Sequence, residues 1–234
     1  MGLPFFYVIN LEAQSIILDE DTSKHIVLVL RMKTGEELLL TDGKGKKAIA
    51  RITDDNRKKC AVSIVSFEMV ERPARKVSIG ISIIKNASRF EWFLEKATEI
   101  GVHEIYPLLC ERTEKEKFRF DRMNNILVSA MLQSQQTWLP LLHEPTKFEQ
   151  VILSTMHTRK LIAHCIESEK RSLAQSYTGD ADSTIILIGP EGDFSANEIK
   201  QALAHNFIPV TLGDTRLRTE TAGLVAASLL CIAY

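Results

Sequence analysis

The sequence predicts an α/β protein in two parts: a small β-barrel over residues 1–72 and, over 73–234, a parallel sheet with helices between its strands. Three observations carry this. Residues 36–66 hold short strands separated by turns with no helix between them, and such strands must hide their edges by closing on one another. At Arg72-Pro73 the pattern changes to strands alternating with amphipathic helices, which is how a parallel sheet is built. Two glycine-bearing loops, at 188–195 and 212–222, follow late strands of that second part, where open parallel sheets bind ligands.

In the first part, Glu37–Thr41 and Ala48–Ile52 flank Asp42-Gly43-Lys44-Gly45, whose Asp-Gly step favours a hairpin turn. Asp54–Lys58 forms the next turn and Cys60–Phe67 the next strand. Residues 22–31 are ambiguous: their β-branched side chains suit a strand, while Ile26, Val29 and Leu30 also fit one helical face. In the second part, Val77–Ile84 is a continuous apolar run, as in a strand covered on both faces. Ser88-Arg89-Phe90-Glu91 reads as a capping box. It opens a helix that turns Phe90, Phe93, Leu94, Ala97 and Ile100 to one side and stops at Gly101. A strand over 104–109 follows, then a helix over 121–136 with Met123, Ile126, Leu127, Ala130 and Met131 inward. Strands at 160–165, 184–188 and 208–212 alternate with helices starting near Ser195 and Thr219.

Composition bounds the function. The 234 residues suffice for a substantial core, and 45% hydrophobic with 25% charged residues describes a globular chain rather than a disordered or collagen-like one. The 29 Lys+Arg against 30 Asp+Glu leave a net charge of −1, which excludes a bulk-basic nucleic-acid binder but permits local basic faces. Two such clusters occur, Lys44, Lys46, Lys47 with Arg51, and Arg57, Lys58, Lys59. The four cysteines lie far apart with no C-x-x-C pair and no signal peptide ahead of them, which predicts reduced thiols in a cytoplasmic protein. The six histidines show no metal-ligand spacing, so no metal site is expected. The longest apolar stretch, Ala222–Tyr234, is too short to span a bilayer. No membrane association is expected.

Several common chemistries lack their residues. There is no G-x-x-x-x-G-K-[ST] phosphate loop and no G-x-S-x-G nucleophile elbow. A dinucleotide site places its glycines after the first strand of its domain; here that strand runs into Ile84-Lys85-Asn86-Ala87-Ser88-Arg89, which has none. The glycines instead come late, in Ile188-Gly189-Pro190-Glu191-Gly192-Asp193-Phe194-Ser195 and in Leu212-Gly213-Asp214-Thr215-Arg216-Leu217-Arg218-Thr219-Glu220-Thr221-Ala222. Glycines at 189, 192 and 213 permit positive φ and let a ligand lie against the backbone, the plainer alternative being tight turns before helices. A second capping box, Ser195-Ala196-Asn197-Glu198, follows the first loop.

These two loops resemble the signature segments of the RsmE family of ribosomal-RNA uridine-N3 methyltransferases. The resemblance extends to RFEWFLEKATEIGVHEIYPLLCERTE at 89–114 and HIVLVLRMKTGEELLLTDGKG at 25–45, in the same order and over nearly the whole chain. One departure lies at 129–139, SAMLQSQQTWL. There only Gln133-Ser134 follows the family; Met131 and Leu132 replace acidic residues and Thr137 a basic one. The resemblance implies a PUA-like RNA-binding β-barrel over 1–72 and a SPOUT methyltransferase domain over 73–234 with a C-terminal trefoil knot. The implied cofactor is S-adenosylmethionine, held by Leu187, Ile188, Gly189, Gly192, Leu212, Gly213, Leu217 and Thr219. Implied partners are 16S rRNA of the small ribosomal subunit, at a uridine of the decoding region, and a second copy of the chain.

Methylation at uracil N3 needs loss of the N3 proton and stabilisation of the negative charge that builds on O2 and O4. Arg218 is the first candidate for that cation, Arg216 the second, and Glu220 or Glu191 the candidate proton acceptor. Either carboxylate could instead cap a helix. Lys44, Lys46, Lys47 and Arg51, with Lys85, Arg89 and Arg112 near the sheet's edge, are the candidate phosphate contacts, which supply affinity rather than site choice. N3 lies on the Watson–Crick edge, so the target uridine has to be unpaired or flipped out. Two rival readings stand beside this one: a SPOUT methyltransferase for tRNA or another base atom, and a non-catalytic RNA-binding ribosome factor.

Overall fold

The structure, a computed structural model, describes residues 2–114, 117–167, 169–176 and 182–232. The chain divides into two compact units, Met1–Arg72 with Met131–Leu139, and Pro73–Ala130 with Pro140–Tyr234.

The first unit contains β1 (Phe5–Tyr7), β2 (Ser15–Ile17), α1 (Glu20–Lys24), a π-helical turn over His25–Val29, β3 (Glu37–Thr41), β4 (Lys46–Asp54) and β5 (Ala61–Met69). The five strands are ordered β1-β3-β4-β5-β2. The hairpin joins β3 and β4 antiparallel with Leu39 opposite Ile49. Asp42 makes its turn by accepting the Lys44 and Lys46 amides at 2.8 and 3.2 Å, while Gly43 and Gly45 take φ of +68° and +95°. The ambiguous stretch at 22–31 is helical as far as Val29. Asp19 caps it by accepting the Thr22 amide at 2.9 Å, and Glu20 and Asp21 suit the positive end of the helix dipole. The strand-to-strand closure expected of a barrel is not made among the described residues: the order ends at β1 and β2. The helical segment instead passes Ile26 into one core with Phe6, Leu38, Leu40, Ala50 and Val62.

Residues 131–139, expected in the second part, group with the first unit. They lie along the hairpin turn: the Gly45 amide donates to the Thr137 carbonyl at 2.9 Å and the Leu139 amide to the Gly43 carbonyl at 2.8 Å. The Trp138 indole donates to the Val70 carbonyl at 3.1 Å and takes the Arg72 guanidinium over its ring at 5.1 Å. A Cβ at Gly45 would run into that indole, so glycine here serves close approach as well as the positive φ. The apolar Met131 is fully buried, with its sulfur close above Gly43.

The second unit holds β6 (Lys76–Ser82), α2 (Ala87–Ile100), β7 (Glu104–Leu109), α3 (Phe120–Gln133, its last residues belonging to the first unit), β8 (Leu141–Leu142), β9 (Thr146–Lys147) and α4 (Phe148–Ser154). β10 (Arg159–Ala163), β11 (Arg171–Ser172), α5 (Leu173–Ser176), β12 (Ser183–Ile188), α6 (Ala196–Ala204), β13 (Ile208–Thr211) and α7 (Thr219–Cys231) complete it. The sheet is parallel throughout, ordered β11-β13-β10-β12-β6-β7-β8 with β9 also on β7. β6 is buried over six of its seven residues, as its apolar run predicts.

The cap of α2 is Asn86, which accepts the Ser88 amide at 3.0 Å, so the expected Ser88–Glu91 box is not the start of that helix. Glu91 is instead bound by the Arg122 guanidinium. Gly101 ends α2 in the left-handed conformation. α3 stops three residues earlier than expected, and Gln135 adopts φ +57° beyond it. α7 packs its small residues inward: a Cβ at Gly223 would meet the Phe93 ring at 2.7 Å and Ile81 at 2.9 Å. Ala226 and Ala227 are buried on the same side.

Candidate functional site

β13, β10 and β12 are neighbours in the sheet, so the loops leaving their C-terminal ends rise side by side. They enclose a cleft of about 730 Å³, in the range of small-molecule sites. Ala163, Ile188 and Val210, at the ends of the three strands, contribute to its apolar lining, and the three loops and the start of α7 form its walls.

The loop after β12 is shaped by contacts rather than by glycine φ. Gly189 does not have a positive φ; a Cβ there would stand 3.1 Å from both the ring and the backbone nitrogen of Phe194, itself fully buried. The residue that takes the left-handed conformation is Asp193, at φ +64°. Its carboxylate accepts the Phe194 amide and, across the cleft floor, the Cys165 amide, each at 2.8 Å. The expected Ser195–Glu198 box is present in both halves. Glu198 extends it by accepting the Glu111 amide at 2.8 Å. The loop after β13 turns at Gly213, φ +141°, with open space where a Cβ would go. It returns to the first loop at Thr219, whose hydroxyl donates to the Gly189 carbonyl at 3.0 Å.

Of the residues expected to hold the cofactor, Ile188, Gly189, Leu212, Gly213, Leu217 and Thr219 line this cleft. Leu187 does not: it is fully buried in the core with Phe148, Ile162 and Phe194, because alternate strand residues face opposite sides. Gly192 lies outside the lining, its carbonyl taken by Arg112 Nη1 at 2.6 Å.

Arg216 and Arg218 both line the cleft, exposed and without an ion pair among the described residues. Glu220 is buried in the first turn of α7 and does not cap it; the N-cap, Arg218, makes no side-chain capping bond either. Glu220 Oε1 lies 3.7 Å from Arg89 Nε, and Oε2 is buried with no hydrogen-bond partner among the described residues.

Sequence reasoning missed the third wall. His164, Cys165 and Lys170, after β10, line the cleft with Asp193. Lys170 Nζ closes that loop on itself, donating to the His164 and Ile166 carbonyls at 2.9 Å each. Burial, and then the Lys170 charge, push the His164 imidazole below its ordinary pKa, against the weaker pull of Asp193 and the Ile166 carbonyl. The strand was expected to run through 165, which hid both residues inside it.

The candidate phosphate contacts are mostly engaged. In the first unit Lys44 is exposed, Lys46 and Lys47 sit 4.0 and 3.5 Å from Glu12 and Glu68, and Arg51 pairs with Glu37 at 2.8 Å. In the second unit Lys85 pairs with Glu114 at 2.7 Å. Lys85, Arg89 and Arg112 follow β6 and β7, which lie inside the sheet order rather than at its edge, at the same C-terminal end as the cleft. The four cysteines are free; burial raises the Cys110 and Cys231 thiols to about 12. No group that could hold a metal ion occurs among the described residues, and none of their helices is long and apolar enough to cross a membrane.

The pattern of an RNA methyltransferase domain matches residues 70–231, and that of an RNA methyltransferase PUA domain residues 18–65. A curated relative from Synechocystis, named ribosomal RNA small subunit methyltransferase E, is 30% identical over 85% of this chain and 66% of its own length. A crystal structure of a probable rRNA-methyltransferase from Porphyromonas gingivalis is similar at 40% identity and a TM-score of 0.90, covering 97% of this chain and 96% of that one. A ribosomal RNA small subunit methyltransferase E from Neisseria gonorrhoeae, solved bound to S-adenosyl methionine, is similar at 28% identity and a TM-score of 0.87, over 97% and 96% of the two chains.

Proposed function

Because this chain belongs to the RNA methyltransferase family that carries a PUA domain and whose relatives are named ribosomal RNA small subunit methyltransferase E, we propose that it methylates N3 of a uridine in 16S rRNA with S-adenosylmethionine. The observation that carries the reading is the cleft over β13, β10 and β12, walled by both glycine loops. Its residues fit the cofactor. Apolar Ile188, Leu212 and Leu217 suit the flat adenine, Gly213 leaves open space at the backbone, and His164, Thr219 and the loop amides offer polar partners. No phosphate has to be cradled, in keeping with the missing phosphate loop.

The cofactor, when bound, supplies an electrophilic methyl group on a sulfonium sulfur. The chain's own residues then bind and orient. Thr219 and the Phe194 ring hold the first loop in shape, so the cleft is formed before substrate arrives. Arg218 and Arg216, exposed at the rim, are placed to meet charge developing on the uracil oxygens. Arginine suits this because it stays protonated beside a nitrogen that is losing its proton. Glu191, which lines the cleft, and Glu220, which lies outside its lining with one oxygen unpartnered, are the candidate acceptors for that proton. Lys44 is exposed for a phosphate contact, and Lys46, Lys47, Arg51, Lys85 and Arg112 supply theirs by exchanging carboxylate or carbonyl partners for RNA, an exchange that exposed ion pairs permit at little cost.

The finer architecture belongs to the same reading. A trefoil knot is supported by the way residues 212–219 return to the Gly189 carbonyl before α7 packs on α2 and β6. A homodimer is supported by the face of α7 turned from its own core, where Leu224, Val225 and Leu229 are half-exposed and Ile232 is 55% exposed. Action in the cytoplasm, on a small subunit that presents the uridine unpaired, follows from the substrate. Nucleoside mass spectrometry of rRNA from a deletion strain tests the whole: 3-methyluridine in 16S rRNA disappears and returns on complementation. Undiminished 3-methyluridine would refute the assignment.

A further inference from the structure

Arg89 opens α2, yet its guanidinium serves the two loops of the cleft. Its Nη1 lies 3.6 Å from Glu191 Oε1, in the loop after β12, and its Nε 3.7 Å from Glu220 Oε1, in the first turn of α7. Those two carboxylates differ sharply: the Glu191 side chain is 55% exposed and that of Glu220 only 8%. A carboxylate buried that deeply needs a cation or hydrogen bonds. Arg89 is the cation in ion-pair range of Glu220 among the described residues, and Glu220 Oε2 has no hydrogen-bond partner there. Arg89 also lines the cleft. One guanidinium, anchored on a helix packed against α7, thus joins the segments that form two of the cleft walls.

We propose that Arg89 is a positioning residue that couples the two cofactor loops through Glu191 and Glu220, rather than an RNA phosphate contact. This rests on the methyltransferase reading and goes beyond it by assigning a task to a residue whose sequence context suggests RNA. Planar guanidinium geometry matters, because two carboxylates approach from different elements and a lysine ammonium presents a single point. Removing Arg89 leaves Glu220 buried and uncompensated, and the first turn of α7 is then displaced together with Thr219, which holds the first loop. Removing the Glu220 charge as well relieves that penalty.

The test measures the affinity of S-adenosylhomocysteine, without RNA, for the full chain and for Arg89→Ala, Arg89→Lys, Glu220→Gln and the Arg89→Ala/Glu220→Gln double variant. RNA affinity and its salt dependence are measured alongside. Arg89→Ala weakens the cofactor product about tenfold, the double variant recovers most of that loss, and Arg89→Lys falls between. The slope of RNA affinity against salt does not change. Losses that simply multiply in the double variant overturn the coupling, and so does a loss confined to RNA binding with a reduced salt slope. Arg89→Lys, which keeps the charge, carries the same test if Arg89→Ala fails to fold: affinity equal to the parent's excludes a need for the two-sided guanidinium. If the parent chain itself binds no S-adenosylhomocysteine, the methyltransferase reading fails first and is distinguished by that result.

Discussion

At the scale of single residues, the cleft separates cations that are held from cations that are free. Arg89 is fixed between two carboxylates, whereas Arg216 and Arg218 stand exposed. A free guanidinium at the rim can follow charge as it develops on a base. Arg218→Ala is therefore expected to retain cofactor and RNA binding and to lose on the order of 100-fold to 1,000-fold in single-turnover methylation. A loss within a few-fold at saturating RNA transfers the role to Arg216. Gly189 carries a different expectation. Since a Cβ there meets Phe194 at 3.1 Å, Gly189→Val acts by displacing the first loop as well as by filling space. Overpacking of this kind costs about 1–3 kcal/mol. The variant should melt lower even without cofactor and should bind it poorly in calorimetry. An unchanged melting temperature would show that the loop yields freely.

Elements show how the sequence's charges are used. The first residue of β7, Glu104, accepts from the Tyr106 hydroxyl at 2.6 Å and sits 3.4 Å from His143 Nε2, whose ring stacks on Tyr106 at 3.8 Å. The His143 hydrogen bond first, and Tyr106 with it, outweigh burial and hold the Glu104 carboxyl down to about 2. A carboxyl depressed on folding stabilises the native state above its unfolded pKa of about 4.5 and loses that contribution as pH falls toward 2. Comparing acid unfolding of the parent and Glu104→Gln measures it. The stability difference, at most about 3 kcal/mol, should be full near pH 6 and vanish near pH 2. A difference independent of pH would assign the effect to packing. In the β3–β4 hairpin, Lys44 is exposed while Lys46 and Lys47 have glutamate neighbours. Changing all three to Glu should weaken RNA binding and lower its salt slope, with Lys44→Glu alone lowering it by roughly 0.7–0.9. Cofactor affinity should stay constant. No change in slope would make the hairpin tip a solvated turn.

For the whole molecule, the question is what α7 leaves uncovered. Gly223, against Phe93 and Ile81, and the buried Ala226 and Ala227 are spent inside the chain, so close approach of two copies cannot rest on them. The half-exposed leucines and valine, with Ile232, remain for a partner. Light scattering of the full chain at micromolar concentration should give twice the monomer mass, and Leu229→Glu should return it to the monomer. A parent chain that scatters as a monomer removes the dimer from the reading. β13 and α7, the last elements of the chain, complete the cleft that β10 and β12 begin.

Sequence by itself determined the grammar and the loops. The Asp42-Gly43 turn, the Ser195–Glu198 cap and the glycine loops at 188–195 and 212–222 are local signals, written in neighbouring residues, and the structure has them in place. What only the tertiary structure decided is whatever depends on partners distant in the chain. Strand order set β10 between β13 and β12 and so brought His164, Cys165 and Lys170 to the cleft. Strand parity turned Leu187 into the core. The helical fate of 20–29 followed from the Asp19 cap together with a core waiting for Ile26. The attachment of 131–139 to the hairpin turn required Trp138 to find Gly45 across more than ninety residues, and the pairing of Arg89 with Glu220 spans more than one hundred and thirty. Short-range propensity carries no term for such contacts; they exist because burial and charge compensation are settled only when the whole chain has closed.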